Sequence, residues 1–304
     1  AIATSKCGGI RVIVYDDKSH VSPFFVCKNI DEAKEFIDWV NENFSILKEI
    51  AEKGSGHGKL LKIVPYSIGR RVILNFSYDT RDAMGANMIG VLTEEACKYI
   101  MTQVKAERYF LRSNFISEKK ASGVGLTIGY GKEVWAEAII SKKVVNRYLE
   151  SSPEAISNAW KGWALSSFRA GMLGINAHYA NGVAALFIAC GQDVAHVANA
   201  SIGMTLYETT EEGDLLVSLT LPNIIVGTVG GGTALPTQRE CLQMIGCYGA
   251  GKARKFAEIV GATLLAGELG ICAGITSKHF LEPHIRAREF TRKKAYEEQI
   301  EVAK

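Results

Sequence analysis

Long apolar runs are missing from this chain. No stretch approaches the roughly 18 consecutive apolar residues that would read as a membrane span. Charge of one sign is also missing: 35 basic residues against 32 acidic ones leave a net +3 at neutral pH. The basic residues are scattered, apart from pairs such as Lys119-Lys120 and Lys293-Lys294, which is too thin a field to argue for nucleic acid. The basic stretch from Arg286 to Lys294 holds one aromatic, Phe290, and so no stacking platform. The seven cysteines are odd in number and none has C-x-x-C spacing, which excludes a zinc ribbon and a redox dithiol. Reduced thiols in a cytosolic-type compartment, with no metal site, are expected. Neither an initiating Met nor a signal-peptide pattern opens the chain, as in a piece of a longer protein.

What is present suits a sizeable core. Of 304 residues, 47% are hydrophobic and 22% charged, enough for one large domain or two smaller ones. Residues 22 to 27 read as a short strand. A helix starting at Asp31 carries Ala33, Phe36, Ile37, Val40 and Phe44 on one face. Strands over Leu60 to Tyr66 and Arg71 to Phe76 flank a tight turn, a helix runs from Asp82 to about Lys105, and a strand covers Arg108 to Leu111. The order β-α-β-β-α-β is that of a ferredoxin-like split motif. Beyond it come a charged loop at Ser117 to Lys120, a strand from Glu133 to Ile140 and mostly helical, Ala- and Gly-rich sequence from Ser152. Asn176 to Ala198 is apolar nearly all round and reads as a central helix. Leu215 to Leu221 alternates as a strand, Ala253 to His284 reads as helix, and Arg286 to Lys304 as a charged tail.

Three glycine features compete for an anionic ligand. At Arg81-Asp-Ala-Met-Gly-Ala-Asn-Met88 a strand gives way to a helix. Asp82 is placed to cap that helix, Gly85 to admit a ligand, and the free N–H groups of the first turn to hold a pyrophosphate. Gly123-Val-Gly125-Leu-Thr-Ile-Gly129 has the wrong spacing and context for a dinucleotide fingerprint. Gly227-Thr-Val-Gly-Gly-Gly-Thr233 spends three consecutive glycines, either on a tight turn or on close approach to a ligand.

Asp82-Ala-Met-Gly-Ala-Asn-Met88 and Gly227-Thr-Val-Gly-Gly-Gly-Thr233, taken with Asn176-Ala-His-Tyr-Ala-Asn181, Gly191-Gln192-Asp193 and Leu265-Ala-Gly-Glu-Leu269, make the chain resemble 3-hydroxy-3-methylglutaryl-CoA reductases, most closely the archaeal and eukaryotic class. The resemblance implies an α+β fold, a large helical domain with an inserted ferredoxin-like small domain. Residues 1–23 would begin the large domain, 24–110 form the cofactor-binding insert, 111–122 a connecting catalytic loop and 123–304 the substrate-binding remainder. It also implies a homodimer or dimer of dimers with the active site across the subunit boundary. The activity would be four-electron reduction of a CoA thioester to mevalonate, on the route to isoprenoids, using two NADPH, with NADH possible. Some members carry a membrane anchor, so the chain would be cytoplasmic or the cytosol-facing soluble portion of an anchored protein, with no membrane contact of its own.

Residue by residue, Lys119 matches the catalytic lysine that meets the oxyanion. Asp193 matches its carboxylate partner, and His284, five residues after His279, the donor to the CoA thiolate. Lys120, Lys161, Asn181 and Glu118 match substrate contacts. Asp82, Met84, Gly85, Asn87, Ser55, Gly230 and Gly231 match the cofactor side. His178 reads as a structural histidine. The chain also departs from the family. The catalytic glutamate falls upstream of Ala1, Val21 stands for a substrate-binding arginine, and Gly56 for the arginine after Ser55. Ala86 replaces a methionine, Glu118 an aspartate, and Lys119-Lys-Ala-Ser-Gly-Val-Gly125 a differently composed run. Arg112 replaces a small residue and could restore positive charge near the site. A divergent member, with changed substrate or a non-catalytic role beside an active partner, is the alternative.

Overall fold

Side chains along Gly131–Ile140 alternate between buried and exposed, the period of a strand with one face on a core. In the computed structural model, which describes residues 1–116, 118–277, 280–282 and 285–291, this strand lies inside an eight-stranded antiparallel sheet. The strands are β1 (Arg11–Val21), β2 (Phe24–Cys27), β3 (Lys59–Ile68), β4 (Arg71–Asp79), β5 (Ala106–Phe110), β6 (Gly131–Ile140), β7 (Met204–Thr209) and β8 (Leu215–Ile224). Their order is β5-β2-β4-β1-β6-β8-β7, with β3 along the other edge of β4. The helices are α1 (Ile2–Lys6), α2 (Ile30–Glu42), α3 (Phe44–Glu52), α4 (Ala86–Gln103), α5 (Gly123–Thr127), α6 (Lys142–Tyr148), α7 (Pro153–Ala170), α8 (Tyr179–Ala189), α9 (Val197–Ala200), α10 (Pro236–Met244) and α11 (Ala253–Thr276).

β1 joins two halves. Its residues Arg11 to Lys18 pair with β6, and Ser19 to Val21 pair with β4. On one side, α7, α8 and α11 cover the β1-β6-β8-β7 part over a core that includes Tyr179, Phe187, Phe256 and Leu264. On the other, α2, α3 and α4 enclose a second core with Phe25, Phe36, Leu74 and Ile89. A small apolar cluster of Ile116, Tyr130 and Ile225, with Met84 and Phe115 against it, forms a third.

Several boundaries differ from the sequence expectation, each for a local reason. Asn29 opens α2 by accepting the Glu32 amide at 2.8 Å, and the helix breaks at Asn43 before α3. The helix expected from Asp82 starts at Ala86 behind Gly85, whose φ of 78° is open to glycine. The single helix expected over Asn176 to Ala198 is broken after Ala189, where Gly191 turns at φ 67° and Asp193 caps a 3-10 turn at Val194–His196. β1 and β7 carry no clear sequence signal, and with them the larger half is a mixed sheet-and-helix layer rather than a helical domain. The 24-residue α11 is, by length and composition, apolar enough to cross a membrane, although no unbroken apolar run announces it. Phe256, Val260, Leu264, Leu265 and Leu269 on it are buried in the first core. His279 and His284 lie outside the described residues.

Candidate functional site

Three segments distant in sequence line one cavity of about 530 Å³. They are Met84 to Met88 leading into α4, Gly191 to Val194 after α8, and the glycine loop after β8. Backbone contacts lock them together. A Cβ on Gly191 would lie 2.4 Å from the Gly232 carbonyl oxygen, and one on Gly227 would lie 2.6 Å from the Met84 nitrogen. Gln192 ties the segments further, accepting the Gly227 amide at 2.8 Å and donating to the Cys190 carbonyl at 2.7 Å. Gly230 and Gly231 differ: both have positive φ, and a Cβ on either would meet nothing within 4 Å. Their bare backbone lines the cavity, where a ligand can reach it.

Asp82 does not cap the helix it precedes. Its carboxylate accepts the Gly251 amide at 2.8 Å and the Ala253 amide at 3.0 Å, capping α11 instead. Its carbonyl accepts the Thr228 amide at 2.8 Å. Burial pushes the Asp82 carboxyl up, but the Ala253, Gly251 and Lys252 amides and the Lys132 charge outweigh it and hold the group below its ordinary 3.8. A depressed acid contributes stability in full above 3.8, lost as pH falls through the lower folded value. Asp82→Ala is therefore expected to cost about 1–2 kcal/mol. A thermal melt at neutral pH checks this, and the deficit should close on strong acidification.

Lys119 meets Asp193 at 2.8 Å, and Asp193 lines the cavity. The same carboxylate accepts the Ala195 amide at 3.0 Å. Burial pushes it up, yet the Lys119 hydrogen bond, the Ala195 amide and the His196 and Lys119 charges together hold it below 3.8. The Asp193 carboxylate thus stays ionised through the neutral range and is lost on the acid side only as pH drops below the usual carboxylate range. Behind it His196 is fully buried, with Nδ1 3.1 Å from Asn199 Oδ1 and its ring 5.9 Å from that of Tyr130.

The other expected residues fall in several places. Met84, Gly85 and Asn87 line the cavity. Ser55 accepts from the His57 and Gly58 amides at 3.1 and 3.2 Å and approaches Met88 Sδ at 3.5 Å, so its hydroxyl organises its own turn beside the cavity wall. Glu118 is paired with Arg112, and Lys120 reaches the Glu118 carbonyl at 3.4 Å. Lys161 on α7 and Asn181 on α8 are exposed and do not line the cavity. Val21 is fully buried in the second core, so an arginine there would have to displace apolar neighbours. The ring of His178 occupies a slot left by Gly182 and Gly267, where a Cβ would collide with it. The Gly123 to Gly129 segment forms α5 and takes no part in the cavity.

Two contributors were not singled out from sequence. Gln192 falls inside Gly191-Gln192-Asp193, but nothing in the sequence alone shows that it reaches Gly227. Glu268, buried on α11, accepts from the Ala177 amide at 2.8 Å, the His178 amide and the Thr205 hydroxyl at 3.2 Å. A lone acid in the middle of an apolar helix was the available signal.

The family description hydroxymethylglutaryl-coenzyme A reductase matches residues 1–289. The chain is 44% identical over 288 residues to the 3-hydroxy-3-methylglutaryl-coenzyme A reductase of Methanocaldococcus jannaschii, covering 92% of this chain and 71% of that protein. It is 42% identical over 291 residues to the enzyme of that name from Pyrococcus abyssi, covering 93% and 71%. Its fold is similar to a structure of the class II 3-hydroxy-3-methylglutaryl-CoA reductase of Streptococcus pneumoniae bound to NADPH in open conformations. That match has a TM-score of 0.72 at 20% identity and covers 90% of this chain and 75% of that one. Matched over residues 1–289, and with three of its motif segments meeting around one cavity, the chain belongs to the hydroxymethylglutaryl-coenzyme A reductase family.

Proposed function

We propose that this chain reduces 3-hydroxy-3-methylglutaryl-CoA to mevalonate and free CoA, consuming two NADPH and two protons. The observation that carries the reading is Lys119 paired with Asp193, which itself lies in the wall of a cavity whose other walls are the cofactor motif and the open glycines. The open backbone at Gly230 and Gly231 suits a phosphate-bearing ligand. When bound there, NADPH supplies a hydride to the carbonyl carbon in each of two reductions.

The chain's own residues do the rest. An ammonium has three donors. One on Lys119 goes to Asp193, leaving two for the oxygen that gains negative charge as hydride arrives. Asp193, held ionised, keeps the Lys119 ammonium aimed. Collapse of the first adduct breaks the C–S bond and expels CoA thiolate, which His284 protonates. The second hydride turns the resulting aldehyde into an alkoxide, again at Lys119, and the second of the two protons consumed makes it the alcohol.

The order β5-β2-β4-β3 with helices α2, α3 and α4 supports reading residues 24–110 as a ferredoxin-like insert that binds the cofactor. On that reading 111–122 is the catalytic loop, and 1–23 with 123–304 form the substrate-binding domain. Exposure of Lys161 and Asn181, away from the lining of the cavity that holds Asp193, fits a homodimer or dimer of dimers. There a second copy would bring its own Lys161 and Asn181 to this site. Phe168 and Leu165 on α7, 87% and 71% exposed, are apolar surface for such a contact. The test is loss of reduced-nicotinamide absorbance with hydroxymethylglutaryl-CoA, using NADPH and NADH in parallel. Two cofactors oxidised per CoA released is the expected result; no oxidation of either by folded protein would end the proposal.

A further inference from the structure

Two ion pairs leave the connecting loop from adjacent residues. Glu118 accepts a short hydrogen bond from Arg112, and Lys119 donates to Asp193 at 2.8 Å. Between them the Lys119 backbone has φ 59°. L-residues avoid this left-handed region because Cβ crowds the carbonyl, and strain of that kind persists only where the surroundings over-determine it. The Lys119 side chain is a poor candidate for the task, being a long, flexible stem whose loop would follow the ammonium as easily as aim it. The Arg112 end is better anchored. It follows β5 by two residues and lies over α4, its Nη2 3.5 Å from where a Cβ on Gly90 would be. Just before the turn, Ile116 is buried against Tyr130 and Ile225.

We propose that the Arg112–Glu118 pair is a latch that holds Lys119 in its left-handed turn and so aims the ammonium at Asp193. Arg112 and Glu118 are then positioning residues rather than substrate ligands. The latch joins the Lys119 loop to α4, the helix whose first turn lines the cofactor cavity. This inference rests on the reading of Lys119 as the cation at the reacting oxygen.

The test uses the full chain with Arg112→Ala, Glu118→Gln and the charge-reversed double Arg112→Glu/Glu118→Arg. Two readouts are taken: kcat and KM for NADPH-dependent reduction, and the rate at which acetic anhydride acetylates Lys119, read by peptide mass against the exposed Lys161. Arg112 is 42% exposed and Glu118 22%, so each single variant should fold. Solvent screening limits the loss to about two- to five-fold in kcat. KM should not move, Lys119 acetylation should speed up by a similar factor, and the double variant should recover both. The loss should also shrink in high salt. The latch is overturned if the single variants keep wild-type kcat and acetylation, or if the double recovers neither. It is likewise overturned if KM for the thioester rises with kcat unmoved, since that would make the two residues substrate ligands. If the wild type turns nothing over, the proposed activity fails while acetylation of Lys119 still decides the latch, with Asp193→Asn as the positive control.

Discussion

Lys119→Ala is expected to lower kcat by about 10²–10³-fold. Two effects act together. The developing oxyanion loses its cation, and the carboxylate of Asp193 is left unpaired beside the place where negative charge grows. The Ala195 amide, at 3.0 Å, is the main hydrogen-bond partner left to it. Without Lys119 its pKa should climb back from its depressed position, so the residual activity should acquire an acid-side pH dependence that the wild type lacks. Binding of NADPH should change little, because Gly230, Gly231 and the Met84 to Met88 segment are untouched. Stability should hold as well, Lys119 being 43% exposed. Steady-state kinetics across pH, with cofactor fluorescence and a thermal melt, separates these expectations. Activity retained within about tenfold of wild type would remove Lys119 from the centre of the chemistry.

The fold was legible where side-chain periodicity changes cleanly. The runs at Leu60 to Tyr66 and Arg71 to Phe76 and the helix beginning near Asp31 needed only spacing and turn residues, and they appear as β3, β4 and α2. β1 was not legible because its middle is polar. Asp17, Ser19 and His20 look like loop until Lys132 and the Ser77 hydroxyl, 3.0 Å from His20 Nδ1, are seen across the sheet. The role of Asp82 was hidden for the same reason. A local reading assigns it to the helix that follows, whereas its partners Gly251 and Ala253 stand 169 and 171 residues away.

The glycines teach the same lesson at the site. Sequence shows that three consecutive glycines, Gly230, Gly231 and Gly232, are costly unless something comes close. Only the fold shows that backbone of the protein itself crowds Gly191, Gly227 and Gly232, while Gly230 and Gly231 face open space. Lys119 and Asp193 were matched to each other by family pattern, and they do meet. Lys161 and Asn181 were matched in the same way but do not line their cavity, which is why a second copy enters the proposal.

Lys132→Met should be the most destabilising single change that leaves the cavity intact, at about 3–5 kcal/mol near neutral pH. Lys132 and Asp17 are directly opposed in the β1–β6 register, and the ammonium, 2% exposed, reaches both carboxylate oxygens at 3.2 and 3.1 Å. Even so, burial keeps the Asp17 carboxyl above its ordinary 3.8, because Lys132 offsets only part of the desolvation and Asp79 adds repulsion. Methionine fills the space but leaves that carboxylate buried without its partner. Arg254 is the other cation acting on it, and one of its nitrogens is already held by the Val14 carbonyl at 2.8 Å. The sign of the pH effect follows. An acid whose folded pKa is raised favours the fold below its unfolded pKa, and that advantage is lost as pH rises through the folded value. The deficit of Lys132→Met should therefore be largest at neutral pH and shrink on acidification. Lys132→Met/Asp17→Leu should return most of the stability, since a buried pair replaced by apolar groups is often neutral. Urea unfolding of all three proteins at neutral and mildly acidic pH tests this, and a deficit independent of pH and unrelieved in the double variant would defeat it. Because β1 pairs with β6 up to Lys18 and with β4 from Ser19, the lesion lies where the two cores share a strand. Loss of the pair should thus lower the stability of both halves together, in a single transition, and not fray one half alone.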